Sequence, residues 1–231
     1  MIEIKNLYFS YTGDEPYTIK DLNLSIPGGK LISIIGENGS AKSTLVKLVV
    51  GLLKPLKGSI TINSNNVAYV PQKMEGFNKQ FPITVLEVYK IHLKALGLKD
   101  LSLIDQALVD VSMTEYKHSL IGDLSGGQTQ RIFIGRALLG NPEVMILDEP
   151  STGMDLRSQK EVRSILKRLR EKQVTILTVE HNISAAIHNS DFIIRMGDNQ
   201  GVLYDIKTFK TNIQHEDVDN MLVFRKEISN Y

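Results

Sequence analysis

Cysteine and tryptophan are both absent from this 231-residue chain. Without thiols, a disulfide framework and a thiolate metal site are excluded; a reducing compartment is permitted by that absence and not established by it. Excess charge is missing too. Lysine and arginine total 27 against 26 acids, a net +1, so there is no electrostatic case for nucleic acid as the main partner. Lys54, Lys57, Lys73 and Lys79 are scattered, not striped. Long apolar runs are also lacking. The most apolar stretch, "LVKLVVGLLKPL", is broken by Lys47, Lys54 and Pro55 and is too short and too charged to span a bilayer. The opening "MIEIKNLYFS" has no cationic lead and no long apolar core, and does not read as a signal peptide. A soluble protein is expected, with any membrane role passing through a partner. Paired histidines are missing as well: His181 and His188 stand seven apart, off the spacing of a helical metal pair, and His92, His118 and His215 form no cluster.

What is present is ordinary globular composition, 42% hydrophobic and 23% charged. The length suits one large domain with room for an inserted subdomain. "IEIKNLYFSY" and "KDLNLSI" alternate roughly and read as half-buried strands. "LISIIG", "VMILD" and "VTILTV" are nearly continuous apolar runs, the pattern of strands covered on both faces of a parallel sheet. "GSITIN", "VAYVPQ" and "DFIIRM" read as further strands, and residues 43–51 as a helix. From about Gly76 to Asn141 the pattern turns helical. "TVLEVYKIHLKALG" opens on a capping box, Thr84 with Glu87, and stops at Gly97; "LSLIDQALVDVS" has helical spacing; "SGGQTQRIFIGRALLG" opens on a second capping box, Ser125 with Gln128. "LRSQKEVRSILKRLREK" reads as a further helix. The class is therefore α/β, a mostly parallel sheet with a helical insert at about 76–141. From Gly201 to Tyr231 the pattern is uninformative, and "IQHEDVDN" reads as a solvated segment.

Five short stretches carry chemistry. "GENGSAKST" at 36–44 follows a buried strand and enters a helix. It fits the phosphate-loop pattern G-x-x-x-x-G-K-[ST] except that Ala41 replaces the last glycine. Phosphate oxygens require converging backbone N–H donors, which a glycine-rich turn and a helix N-terminus supply together. Gly36, Asn38, Gly39, Ser40, Ala41 and Thr44 belong to that cradle, Lys42 reaches the terminal phosphates, and Ser43 offers a hydroxyl to Mg²⁺. A functional loop of modest affinity is expected, although a Cβ at position 41 crowds the phosphates or restricts φ; little change in Ala41→Gly would mean that Ala41 has helical φ and its methyl points away from phosphate. "VMILDEP" carries Asp148 and Glu149 to the C-terminal edge of the sheet, where ligands of open α/β sheets bind. Asp148 suits Mg²⁺ and Glu149 suits deprotonation of a water; the plainer reading is an acidic turn. "VEH" brings His181 to the same edge, and "YVPQ" brings Gln72. "LSGGQ" at 124–128 is a capping box whose two glycines are costly in a first helical turn, which points to close approach by something at Gly126 and Gly127.

In this order and spacing the stretches resemble the ATP-binding cassette ATPases, from the N-terminus to about Gly201. "GENGSAKST" matches the family's Walker A loop, "YVPQ" its Q-loop, "LSGGQ" its signature, "VMILDE" its Walker B strand with the catalytic glutamate, "STGMD" its D-loop, and His181 its H-loop. Tyr11, in "FSYT", falls where the family stacks a ring on adenine. The resemblance implies a P-loop NTPase fold: one domain over 1–231, with a RecA-like, mostly parallel sheet core, an N-terminal antiparallel β subdomain and the inserted α-helical subdomain holding the signature. It implies ATP and Mg²⁺ as cofactors and a head-to-tail homodimer. ATP bound by one chain would meet Ser125, Gly126, Gly127 and Gln128 of the other. Glu149 is then the general base, His181 a γ-phosphate ligand, Gln72 a sensor of Mg²⁺ and nucleotide, Ser43, Gln72 and Asp148 the Mg²⁺ ligands, and Asp155 the coupler of the two sites.

The stretch "GFNKQFPITVLEVY" is similar to the corresponding segment of zinc and manganese transporters. The implied function is the ATP-hydrolysing subunit of a zinc, or next manganese, importer. It would sit at the cytoplasmic face of the membrane on an integral permease, served by an extracellular metal-binding protein. The alternatives are a weakly catalytic or non-catalytic nucleotide module, favoured only by Ala41, and a soluble cassette ATPase with no transporter. A single cassette, no long coiled coil and neutral charge weigh against the latter.

Overall fold

The computed structural model describes residues 2–72 and 81–215. Lys73, Lys79, the start of "GFNKQFPITVLEVY" up to Gln80 and everything after His215 lie outside the described residues. In chain order the elements are β1 (Ile2–Phe9), β2 (Ile19–Ile26), β3 (Leu31–Ile35), α1 (Lys42–Val49), β4 (Lys57–Ile62), β5 (Val67–Val70), α2 (Val85–Ala95), α3 (Ser102–Asp110), α4 (Gly126–Leu138), β6 (Val144–Leu147), α5 (Leu156–Glu171), β7 (Thr175–Val179), α6 (Ile183–Asn189), β8 (Phe192–Gly197), β9 (Gln200–Asp205) and α7 (Ile206–His215).

Two sheets result. A three-stranded antiparallel sheet runs β2-β1-β4, and a six-stranded sheet runs β5-β6-β7-β3-β8-β9. In the larger one, every pairing from β5 through β8 is parallel, and only β9 lies antiparallel to β8. The mostly parallel core, the antiparallel N-terminal sheet and the helices between β5 and β6 agree with the expected fold class.

The continuous apolar runs have the expected cause. β3, β6 and β7 are buried at every position. Successive side chains alternate between faces, and each face has its own core. Met145, Leu147 and Ile176 pack in a cluster with α2, α3, α4 and α5. Val144, Ile146, Leu177 and Val179 pack with Leu45 and Leu48 of α1 and with the inner face of β1 and β2. Both predicted capping boxes form, at Thr84 with Glu87 and at Ser125 with Gln128.

The chain beyond Gly201 is more ordered than the uninformative pattern suggests. β9 pairs with β8 from Gly197/Gln200 to Phe192/Asp205, and α7 follows with its Phe209 buried against Ile193 and Ala186. β9 is a half-exposed edge strand, so it lacks the apolar run that marks the central strands. The short helix α6 also went unsignalled.

The helices of the insert are held at close quarters. Tyr89 on α2 is fully buried, and its hydroxyl donates to the Ile132 carbonyl of α4 at 2.7 Å. Gly135 makes room for it: a Cβ there would collide with the Tyr89 hydroxyl and lie 2.9 Å from Val111 Cγ2. Gly135→Ala is therefore expected to destabilise the protein by about 1–3 kcal/mol through overpacking, read as a lower urea midpoint with unchanged m.

Candidate functional site

The parallel pairing brings the C-terminal ends of β3, β5, β6 and β7 to one edge, and each end delivers one of the predicted residues. β3 runs into residues 36–41 and then α1. Gly36 is packed so tightly on the Met196 carbonyl that any Cβ would collide with it. Lys42 is buried, and its Nζ donates to the carbonyls of Gly36 and Glu37 at 2.8 and 2.7 Å, folding the loop over its own side chain. Desolvation lowers the Lys42 pKa, while Glu149 and Asp148 act in the opposite direction. Asn38 and Gly39 are exposed, and the buried Ser40 Oγ has no hydrogen-bond partner. That orphaned hydroxyl, the captive ammonium and a helix N-terminus suit a polyphosphate. Tyr11 stands beside this loop, 64% exposed, its hydroxyl 3.0 Å from Thr44 Oγ1 and its ring edge-on to Phe9 at 5.0 Å. An exposed, braced ring next to a phosphate cradle suits a flat base.

Ala41 does not have helical φ. It is the N-cap of α1 at φ 67°, ψ 19°, in the left-handed region. Glycine enters that region freely, whereas a Cβ makes it costly. Its methyl is buried in the core cluster with Leu45 and Val46. The restriction that a Cβ imposes therefore lies in the backbone torsion.

Acids converge on the loop from β6. Asp148 is 5% exposed, and Ser43 Oγ donates to its Oδ1 across 3.4 Å. Desolvation, then the neighbouring Glu149, raise the Asp148 pKa, opposed by Ser43, Lys47 and His181. A hydroxyl and a crowded carboxylate form a hard-oxygen pair that fits Mg²⁺. Glu149 has φ 51°, and its carboxylate is held from three sides. His181 Nε2 lies 2.6 Å from Oε1, Gln72 Nε2 donates to Oε2 at 2.5 Å, and Thr152 Oγ1 donates to Oε2 at 3.1 Å. Thr152 was quoted within "STGMD" but given no role in the sequence; only the folded loop shows it reaching Glu149.

The structure does not bring every predicted residue to this edge. Ser125 and Gln128 bond to each other and Ser125 to Thr129. Among the described residues no hydrogen bond joins positions 125–128 to the phosphate loop. The two glycines have different reasons. A Cβ on Gly126 would meet open space, whereas one on Gly127 would lie 2.5 Å from Ser158 Oγ on α5. Gly127 is thus approached closely within its own chain, and Gly126 is bare toward solvent. Asp155 caps α5, accepting from Ser158 N and Oγ at 3.0 and 2.7 Å, and these bonds lower its pKa.

Residues 19–152 match the family model described as ABC transporter. The chain is 42% identical over 202 residues to the probable metal transport system ATP-binding protein of Treponema pallidum, covering 87% of this chain and 84% of that one. It is 37% identical to a zinc uptake system ATP-binding protein of Listeria monocytogenes, over 89% and 85% of the two chains. It is also 37% identical to a manganese transport system ATP-binding protein of Listeria innocua, over 84% and 85%. Among solved structures it superposes on a metal-chelate type ABC transporter in an inward-facing conformation with TM-score 0.80, 25% identity and coverage of 90% and 84%. A dimeric bacterial ABC transporter cassette superposes with TM-score 0.73, 26% identity and coverage of 89% and 99%.

Two outcomes follow from the geometry. Ala41→Gly removes an unfavourable φ but also a buried methyl and some chain stiffness, terms of about 1 kcal/mol each with opposite signs. Stability and ATP affinity should both stay within about 1 kcal/mol of the parent, measured by chemical melts and nucleotide titration. Asp148 is a carboxyl with a raised folded pKa, so the unfolded chain ionises it more readily and it costs stability as pH rises through that window. Asp148→Asn should therefore raise the thermal midpoint of the nucleotide-free protein near pH 7 while abolishing hydrolysis.

Proposed function

The chain belongs to the ABC transporter family, and from that premise we propose that it is the ATP-hydrolysing subunit of a divalent-metal importer, zinc first and manganese second. The observation that carries the catalytic part is the convergence of Lys42, Ser43, Asp148, Gln72 and His181 around the triply held Glu149. The cargo rests on relatives named for zinc uptake and manganese transport. Residues 76–80 of the stretch similar to metal transporters lie outside the described residues.

In this reading residues 36–44 cradle the phosphates of ATP, and Tyr11 stacks on the adenine. Lys42 exchanges its loop carbonyls for phosphate oxygens, which is favourable because a buried ammonium gains a charged partner. Ser43 and Asp148 hold Mg²⁺, with Gln72 beside them; the ion would neutralise charge on the phosphates. Glu149 takes the proton of the attacking water. His181 keeps that carboxylate aimed and donates to the γ-phosphate side, and Gln72 and Thr152 fix the carboxylate's other oxygen. The rate gain comes from positioning and charge neutralisation, with no covalent intermediate.

The exposed Ser125 and Gly126 at the N-terminus of α4 complete the site of a second copy in a head-to-tail pair, which explains why they make no contact with their own phosphate loop. No helix of the described residues is long and apolar enough to cross a membrane. The protein would thus reach the cytoplasmic face by docking on a permease, with a metal-binding protein delivering cargo from outside.

Glu149→Gln keeps the hydrogen-bond geometry and removes the base. It should lower ATPase kcat by about 10²–10⁴-fold and trap an ATP-bound dimer by size-exclusion chromatography. A variant that stays monomeric with ATP, together with a parent lacking ATPase activity, would sink the motor reading.

A further inference from the structure

Glu180 is an ionisable side chain beside the site to which the mechanism above gives no task. It directly follows β7 and directly precedes His181, and its backbone N–H donates to the Ile34 carbonyl of β3 at 3.0 Å. Glu180 lines a cavity of about 10 Å³ together with the apolar Leu31, Leu166 and Ala185 and the polar Ser33, Thr178, Arg163 and Asn189. That volume suits about one water, and the polar wall offers the partners a buried water needs. Thr178 Oγ1, itself buried, donates to Glu180 Oε1 at 3.4 Å. Arg163 makes no direct ion pair with Glu180 among the described residues. It favours the carboxylate electrostatically from across the cavity. Arg163 Nη2 donates to Gln159 Oε1 at 2.7 Å, and Gln159 Nε2 donates to the Met154 carbonyl at 3.1 Å. Met154 is the residue before Asp155.

We propose that Glu180 is a positioning residue: bridged by one water to Arg163, and through Gln159 to the Met154 carbonyl, it ties the loop carrying His181 to the 151–155 loop, so that His181 is held on Glu149 only while that loop is in place. The inference rests on the reading that His181 and Glu149 form the hydrolytic centre.

The same chain of bonds has a charge dependence. Burial pushes the Glu180 carboxyl up to about 7, against the pull of Arg163, Thr178 and His181 and with a smaller push from Glu149. Arg163 from α5, His181 on its own loop and Glu149 from the β6 loop are the charged and titratable groups that face it. Above pH 7 the carboxylate accepts from the bridging water and the tie is made. As pH falls through 7 the carboxyl becomes neutral and the tie to Arg163 weakens.

The test uses steady-state ATPase kinetics of the full chain from pH 6 to 9. Glu180→Gln, which fixes the neutral form, should cut kcat about tenfold at pH 8, leave KM for ATP within about twofold, and lack the acid limb that the parent shows near pH 7. Arg163→Met should cut kcat similarly and flatten that limb, because ionising Glu180 then makes no tie. Arg163→Lys should restore part of the loss. The double variant should be no slower than either single one, since both break the same tie. Should Glu180→Gln fail to fold, the Arg163→Met limb decides alone. Parental kcat and pH profile in Glu180→Gln, an unflattened limb in Arg163→Met, or losses that multiply in the double variant each overturn the proposal. If His181→Ala and Glu149→Gln abolish hydrolysis while these variants do not slow it, only the positioning role falls. If His181→Ala and Glu149→Gln stay active, the hydrolytic-centre reading falls first.

Discussion

The site depends on one constraint: five neighbouring strands run parallel, so four chain segments that lie far apart in sequence must leave the sheet at the same edge. Gln72, Asp148, Glu149, His181 and the loop at 36–44 reach each other for that reason alone. The constraint is enforced by burial on both faces. β3, β6 and β7 send alternate side chains into two separate cores, so a one-residue slip of any of them would exchange the two sets of contacts. Register in the middle of the sheet is thereby fixed before any ligand binds, and the loops inherit their positions from it.

The edge concentrates charge at a cost. Asp148 is pushed toward its neutral form and Lys42 toward its own by the desolvation that makes them useful. Glu149 avoids isolation through His181, Gln72 and Thr152, one partner from each of three loops. Because those loops end different strands, the orientation of the Glu149 carboxylate depends on the alignment of β5, β6 and β7. A disturbance of any one loop loosens the carboxylate without touching it.

The central strands were readable in the sequence because double-sided burial leaves an uninterrupted apolar run, and the capping boxes at Thr84 and Ser125 because their chemistry is local. The phosphate loop, the acids and His181 were legible for the same local reason: each sits next to a readable strand. β9 and α7 escaped because an edge strand and an end helix bury only part of themselves. The roles of Thr152, Arg163 and Glu180 escaped because they exist only between segments. Gly127 is the converse case: its cost in a helix shows in the sequence, but the neighbour that crowds it within its own chain, Ser158, is 31 positions along the chain.

Ala41 bears on how such loops are recognised at all. The turn at 36–42 keeps its left-handed residue at the mouth of α1 although the residue type has changed. What the loop uses at this position is therefore a torsion, one that glycine enters freely and alanine enters here at a cost. A search template written in letters scores position 41 as a defect. One written in backbone angles would score it as intact, and would also distinguish it from loops in which an alanine has pulled the turn into the right-handed basin.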